Sequence, residues 1–340
     1  MSVQVETGRA SILPWGLITS DAELIERITA GLADVEALIE ESAHSDHPLI
    51  NEAAGHLVAA GGKRFRPLLT LMAAEFGEAV VPDVLVAACV VELTHMATLY
   101  HDDVMDEAPL RRGVQTANAR WDNSIAILTG DFLFAKASQL LADLGPEAVR
   151  LQALTFERLV TGQINECIDP APGESAIDHY LRVLADKTGS LIATSTRFGA
   201  LLSGAPDPIV DQLTRFSEVF GVAFQLADDV LDIAGDPEES GKVPGTDLRE
   251  GVPTLPTLYA LASTDPASAR LRELLSGPIT EDALVLETIE ALRAHEAMNQ
   301  ARATARRYAD EARDLLATLP DIPARAALYA LCDLVHSRTV

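Results

Sequence analysis

Cysteine is scarce in this sequence. Cys89, Cys167 and Cys332 are odd in number and far apart, so they make neither a disulfide framework nor a CxxC metal or redox motif, and a reducing cytoplasm is the expected location. Aromatic residues are few, 5% of 340, while Ala and Leu are abundant. That composition disfavours a sandwich of β-branched and aromatic strands and favours helix packing. Positive charge is short as well: 26 Lys and Arg stand against 51 Asp and Glu, a formal net charge of −25. Nucleic acid or an anionic membrane face would need clustered positive surface, so neither is an expected partner. An anionic substrate would require local Lys/Arg clusters or metal ions that reverse the field. No apolar run is long and unbroken. The most apolar stretch, Val84 to Tyr100, is interrupted by Glu92 and His95, and the N-terminus lacks a basic stretch followed by an apolar one. Neither a spanning helix nor a signal peptide is expected.

What the chain does have is helical periodicity. Ser20 with Glu23 has the form of a capping box, and Leu24, Ile25, Ile28, Leu32, Val35, Leu38 and Ile39 follow at helical spacing. Similar segments are predicted at about 48–60, 66–76, 82–106, 118–143, 147–168, 176–202, 208–235, 254–263, 281–317 and 324–337. Nothing alternates with period two. The breaks carry turn chemistry, as at Gly61-Gly62, Gly145-Pro146, Gly204-Ala205-Pro206 and the Gly/Pro-rich stretch 235–253. Without a long linker or low-complexity segment, the chain reads as one all-α domain over 1–340, although this length can hold two.

Two acidic motifs stand inside apolar helical runs. His101-Asp102-Asp103-Val104-Met105-Asp106 sets Asp102 and Asp106 one helical turn apart, on one face. The pattern returns 126 residues later as Asp228-Asp229-Val230-Leu231-Asp232, preceded by Gln225. One such cluster is as readily a solvated helix end. Two, each within an apolar run, imply cations or a water-filled cleft, because burying an uncompensated carboxylate costs several kcal/mol. Carboxylate oxygens, with no His or Cys within the DDxxD pattern itself, suit Mg²⁺, which keeps waters and takes its other ligands from phosphates. Local cations are also present, in Gly61-Gly62-Lys63-Arg64-Phe65-Arg66-Pro67 and in Arg111-Arg112-Gly113. Arginine offers forked donors matched to phosphate, and the paired glycines let a backbone approach a ligand. Lys187-Thr188-Gly189 and the stretch 235–253, with Asp236, Lys242, Gly245, Asp247 and Arg249, add further polar groups. In isolation, Lys63 to Arg66 reads as a surface loop and Lys187 to Gly189 as a helix C-cap.

Over essentially its whole length the chain resembles the trans-type polyprenyl diphosphate synthases. Their two aspartate-rich motifs, GGKRxRP segment and GKxxGxDL loop all occur here in order. The resemblance implies antiparallel helices around a deep central cavity, the isoprenoid synthase type, usually homodimeric, with three Mg²⁺ between an allylic diphosphate and the two motifs. By matching positions, Asp102, Asp106 and Asp228 would be metal ligands, with Asp103, Asp229 and Asp232 supporting or bridging through water. Arg111, Lys187, Thr188, Gln225 and Lys242 would hold the allylic diphosphate. Gly62, Lys63, Arg66, His95 and Arg112 would hold isopentenyl diphosphate, and Glu166 beside Gly162-Gln163 would add an acidic contact. In one departure, where the family often reads GKxTLP, this chain has Gly251-Val252-Pro253-Thr254-Leu255-Pro256, which shifts binding there onto Lys242 and the metals.

The reaction implied is ionisation of the allylic carbon–oxygen bond, attack by the isopentenyl double bond and loss of a proton, with the product passed to membrane enzymes. Product length is read from the helix leading into Asp102, where Val90, Thr94, Ala97 and Thr98 form one stripe with a rise of roughly 12 Å from 98 to 90. Short-chain members of the family resembled commonly place an aromatic residue five positions before the first Asp; here it is Ala97. A long-chain product is expected, centred on heptaprenyl, unless Ala97 merely serves close helix packing. Two other functions compete. A class I terpene cyclase uses the same metal chemistry but needs no second diphosphate site, so Lys63, Arg66 and Arg112 favour condensation. A noncatalytic regulatory subunit would be expected to lose one Asp motif, and both are complete.

Overall fold

A computed structural model describes residues 11–13, 17–19, 21–79, 81–235 and 244–338; Asp236 and Lys242 lie outside the described residues. The chain divides into two compact units: Met1–Thr155, Leu191–Thr214 and Thr318–Ala330 form the first, and Phe156–Ser190, Arg215–Ala317 and Leu331–Val340 the second. Nearly all regular structure is helical; among the described residues the only strands are two short hairpins, β1 (Ser11–Leu13) with β2 (Leu17–Thr19) and β3 (Leu110–Arg111) with β4 (Val114–Gln115). The fold is all-α, as the helical periodicity predicts.

In the first unit, α1 (Ala22–Ala43) buries Leu24, Ile28, Gly31, Val35, Ile39 and Ala43, one position per turn. Each fully buried Leu, Ile or Val on that stripe contributes about 1.5–3 kcal/mol. Its N-cap is Asp21, whose carboxylate accepts from the Leu24 N–H at 2.7 Å, one residue later than the Ser20 box predicts. After α2 (Pro48–Ala59), opened by Pro48, α3 (Phe65–Ala74) buries nine of its ten residues and α4 (Pro82–Met105) thirteen, on all sides. By length and composition alone α4 and α6 (Asn123–Leu144) pass the test for a bilayer-crossing helix, a test that a buried core helix passes as well. In α4 that apolarity is spent inside the unit, around the buried Glu92 and Asp103.

Two predicted helices are broken. The segment 118–143 becomes α5 (Ala117–Arg120) and α6, because Asp122 turns out of helix and caps the Ile125 N–H at 2.9 Å. The segment 281–317 breaks at His295, extended in backbone, whose ring accepts from the Ala297 N–H. Both breaks are local side-chain caps competing with an unbroken periodicity. Ala269–Leu274 is a short helix the pattern did not reveal.

The second unit is built around α8 (Ala176–Leu184), the C-terminal half of α10 (Asp207–Ala234) and the helices Leu255–Ala262, Asp282–Ala294 and Glu296–Leu316. Their shared core includes Tyr180, Leu226, Val230, Leu255, Leu292 and Ala301. Between α8 and α9 (Ser190–Leu202) there is no break at Lys187-Thr188-Gly189. Residues Ala185–Gly189 form a π-turn inside a continuous helical run, a wide turn that recurs at functional sites.

Candidate functional site

In the first unit, the last turn of α4 carries the first acidic motif. Asp102 is half-buried and Asp106 exposed at the C-cap, still in right-handed helical backbone, so the two keep one face. Asp103 turns inward: its side chain is 3% exposed and pairs with Arg111 at 2.6 Å. Burial raises the Asp103 pKa, although Arg111 pulls the other way. The chain then reverses through β3 and β4, paired Leu110↔Gln115 and Arg111↔Val114. The two turn residues, Arg112 and Gly113, both have positive φ, 52° and 80°, as a tight hairpin matched to strand twist demands. An arginine there is strained. The same conformation brings its guanidinium to the Gly61 carbonyl, and at 3.4 Å to that of Leu57.

Arg112 thereby joins a group of cations. A Cβ at Gly62 would lie 2.9 Å from Nη1 of both Arg112 and Arg64, so a side chain there would displace the guanidiniums. Arg66 is half-buried, and among the described residues its Nε has no hydrogen-bond partner. Burial lowers its pKa to about 10. His95, three residues after Glu92 on α4, is held well below the ordinary histidine value by burial and by Arg66, Arg112, Arg111 and Arg64. It is a neutral imidazole among arginines. Four of the five residues expected to hold isopentenyl diphosphate, Gly62, Arg66, His95 and Arg112, are thus brought together; Lys63 is exposed on the same loop. The stripe leading away is not uniform. Val90, Thr94 and Ala97 are fully buried, Thr94 accepts from Gln152 Nε2 at 2.7 Å, and Thr98 donates to the His95 carbonyl. A Cβ at Gly130 of α6 would sit 3.0 Å from the Ala97 carbonyl, so α4 and α6 approach closely there.

In the second unit, Asp228 and Asp232 are half-buried and Asp229 is 4% exposed. Asp229 accepts from the Tyr180 hydroxyl and from Gln225 Nε2 at 3.2 Å. Gln225, expected at the allylic diphosphate, is therefore bonded to the second motif itself, one turn along α10. Asp232 accepts from the Thr246 and Asp247 N–H groups at 3.3 and 3.4 Å. Lys187 projects from the π-turn to Glu166 of α7 (Pro146–Glu166), Nζ to Oε2 2.6 Å, and Gln163 also bonds Glu166; Thr188 is half-buried beside it. A Cβ at Gly162 would lie 2.7 Å from the Lys187 backbone nitrogen, so only glycine lets α7 come this near the π-turn. Val252, in place of the family's lysine, sits in the turn after Thr246–Glu250 and donates its N–H to the Asp247 carbonyl.

The residue pattern did not single out Tyr180 as a partner of Asp229, or Glu36 and Glu92 as partners of Arg64; Asp247, of the stretch expected to extend the second acidic cluster, does stand beside Asp232. Tyr180 stands two helical turns before Lys187, which is the only signal it offered.

Burial and mutual repulsion both act against the charge of the inner carboxylates of the second group. Burial, then the neighbouring Asp228 and Asp232, raise Asp229 to about 7 against the bonds from Tyr180 and Gln225. Burial, then Asp232 and Asp229, raise Asp247 to about 8. Among the described residues no three His, Cys, Asp or Glu side chains are gathered as a ready-made metal cage. A hard oxygen donor set whose carboxylates repel one another fits a divalent cation that takes its remaining ligands from phosphate and water. Stability follows from the shifts. Each folded-state pKa lies above the unfolded value, so as pH rises from about 4 towards 8 the unfolded chain releases these protons first, and the folded state loses stability. A cation opposes that loss. The Mg²⁺-induced rise in Tm should therefore be larger at pH 8.5 than at pH 6, by about 5 °C; equal gains at the two pH values in a thermal scan would contradict it.

The sequence profile of the polyprenyl synthetase family matches residues 47–292. A nonaprenyl diphosphate synthase of Mycobacterium tuberculosis is 50% identical over 95% of this chain and 97% of its own length. A geranylgeranyl pyrophosphate synthase of Corynebacterium glutamicum, solved with calcium and isoprenyl diphosphate, superposes with a TM-score of 0.85 at 44% identity, covering 94% of this chain and 99% of that one. A decaprenyl diphosphate synthase of Rhodobacter capsulatus has a TM-score of 0.84 at 37% identity, over 94% of this chain and 99% of that one. Product names as far apart as geranylgeranyl and decaprenyl occur at comparable similarity.

Proposed function

We propose, on the premise that this chain belongs to the polyprenyl synthetase family, that its acidic motifs and its arginine group are the substrate sites of a trans-prenyltransferase. The enzyme condenses isopentenyl diphosphate head to tail with an allylic diphosphate, giving a long-chain all-trans polyprenyl diphosphate. One observation supports the assignment of the isopentenyl site: in a protein of net charge −25, the Arg112 guanidinium lies against Gly62, Arg66 and Arg112 both act on His95 through their charge, and the buried Arg66 Nε lacks a partner among the described residues. That is a built anion site, and a cyclase acting on one diphosphate has no use for it.

Mg²⁺ is the cation we assign, three per active site; Asp102, Asp106 and Asp228 would hold it, with Asp103, Asp229 and Asp232 as supports. When bound, it supplies Lewis-acid neutralisation of the departing diphosphate. Lys187 exchanges Glu166 for a phosphate oxygen, and Thr188, Gln225, Arg111 and Lys242 complete the allylic site; Arg111 and Gln225 also hold Asp103 and Asp229 in place. Arg66 and Arg112 offer forked donors to isopentenyl diphosphate, Lys63 a point charge, Gly62 a close backbone and His95 a hydrogen bond without charge. The allylic carbon–oxygen bond breaks with its electrons on the diphosphate, the isopentenyl double bond supplies the pair for the new carbon–carbon bond, and the proton from the adjacent carbon passes to the released diphosphate.

We read 1–340 as one synthase domain, since the family profile runs through both units, and the location as cytoplasmic, with the Cys89 and Cys332 thiols buried and raised to about 12 by that burial. A homodimer is favoured by Ile127 and Leu128 on α6, 42% and 61% exposed, apolar groups that a second copy would cover. The product, too apolar to stay in water, would pass to membrane enzymes. Heptaprenyl lies within the range of the relatives' names. Product analysis of the purified chain with Mg²⁺, labelled isopentenyl diphosphate and allylic starters of several lengths tests the reading; consumption of the starter without incorporation of label would leave a cyclase instead.

Arg112→Ala should raise the KM for isopentenyl diphosphate by about tenfold or more, the scale of one lost charge-assisted fork, and leave the allylic KM within about twofold. Equal increases in both would remove Arg112 from the isopentenyl site.

A further inference from the structure

Arg64 lies in the middle of the basic string Lys63-Arg64-Phe65-Arg66, yet its side chain does not join the anion site. It is 8% exposed and wholly committed to two carboxylates. Nε and Nη2 form a fork on Glu36 of α1, both at 2.6 Å, and Nη1 reaches Glu92 of α4 at 3.1 Å. Its backbone is left-handed, φ 47° and ψ 43°, directly before α3, and Gly61 three residues earlier is also at positive φ. The loop that presents Gly62 and Lys63 is therefore bent into a conformation that arginine adopts reluctantly, and one buried guanidinium pins it to two helices.

Glu92 has a second effect. Its side chain is 3% exposed, and its charge raises the pKa of Arg64, Arg66 and Arg112 alike. Burial works against the charge of all three; only Arg64, with the added bonds to Glu36, ends above its ordinary value. The Arg64 and Arg112 guanidiniums meet at Gly62, and like charges so placed would separate without a buried anion behind them. Glu92 is also one turn before His95 on the same helix, so the counter-charge and the neutral imidazole are held in register.

We propose that the Glu36–Arg64–Glu92 network is the positioning device of the isopentenyl diphosphate site: Arg64 is a positioning residue that anchors the Gly61–Lys63 loop, and Glu92 is the counter-charge that lets the Arg112 guanidinium stay beside that of Arg64 at Gly62 before the substrate arrives. Neither touches the substrate. The proposal rests on the reading of this group as the isopentenyl site, and it separates geometry from field. A carboxylate near a diphosphate repels it, so if Glu92 were only an adverse charge, removing it would tighten binding; a positioning role predicts weaker binding.

The test is steady-state kinetics of the full chain, with the allylic KM as internal control. The double variant Arg64→Met/Glu92→Met removes one cation and one anion together, keeps the local net charge, and replaces a buried pair by apolar groups of similar size, a change that buried pairs often tolerate. The expected result is a rise of tenfold or more in the isopentenyl KM with the allylic KM within twofold. Glu36→Gln, at a half-exposed position where folding is secure, should raise the isopentenyl KM about threefold, and Arg64→Lys, which keeps the charge but not the fork, should fall between the double variant and the parent. An isopentenyl KM within twofold of the parent in the double variant, or in Glu36→Gln if the double variant does not fold, overturns the proposal, as does a parallel rise in both KM values. Arg66→Ala tells the two failures apart: if it too leaves the isopentenyl KM unchanged, the site has been misread, whereas if it raises that KM while the network variants do not, the site stands and the positioning role falls.

Discussion

Replacing Asp102 or Asp228 with alanine is expected to lower turnover by about a thousandfold or more while leaving helix content and Tm close to the parent. Each substitution removes a carboxylate assigned to the cation, and loss of several kcal/mol of charge stabilisation at the departing diphosphate corresponds to that factor. Both side chains are only half-buried, so less packing goes with the charge than at a fully buried position. Asp103→Ala and Asp229→Ala should behave differently. These two are buried and bonded to Arg111 and to Tyr180 and Gln225, so their loss strands buried partners and lowers stability as well as rate. Single-turnover kinetics with circular dichroism makes the comparison. Turnover within tenfold of the parent in either Asp102→Ala or Asp228→Ala would rule out its assignment as a metal ligand.

Ala97→Tyr is expected to shorten the product towards farnesyl or geranylgeranyl diphosphate while condensation continues. Ala97 is fully buried, and its carbonyl stands where α6 can approach only because residue 130 is glycine. A tyrosyl ring there has no room towards α6 and must take volume from the apolar stripe along which a growing chain would lie. Each methylene denied a place there forfeits about 0.8 kcal/mol of burial, which is enough to stop elongation early. Chromatography of the dephosphorylated products reads the length directly. An active, folded variant making the parent product would place the floor elsewhere, and a variant that loses its cooperative melt would mean that Ala97 serves packing alone.

Much of the fold is legible in the residue pattern, because it depends on local order. The spacing of Leu24, Ile28, Val35 and Ile39 is the buried face of α1, and the four-residue step from Asp102 to Asp106 is one turn of α4. Where the pattern misleads, the reason is equally local: a single side chain, Asp122 or His295, caps a new helix inside an unbroken apolar rhythm. Periodicity records which face is apolar and is silent about one polar residue that finds a better bond in a turn.

The helical class, the two carboxylate pairs and the concentration of arginine in an otherwise acidic chain follow from the order of residues alone, since composition and helical period need no partner to be read. What each charged group does is settled by packing between elements far apart in the chain. Of three neighbouring basic residues Arg64 turns inward, because its partners Glu36 and Glu92 each lie 28 residues away along the chain. Asp103 and Asp229 are buried rather than exposed carboxylates, because Arg111 and Tyr180 reach them from other elements. Lys187 is presented by a π-turn that exists where Gly162 lets two helices close to backbone contact. A long polar side chain spans several ångströms in any direction, so its role is set by which distant element packing brings within hydrogen-bond reach.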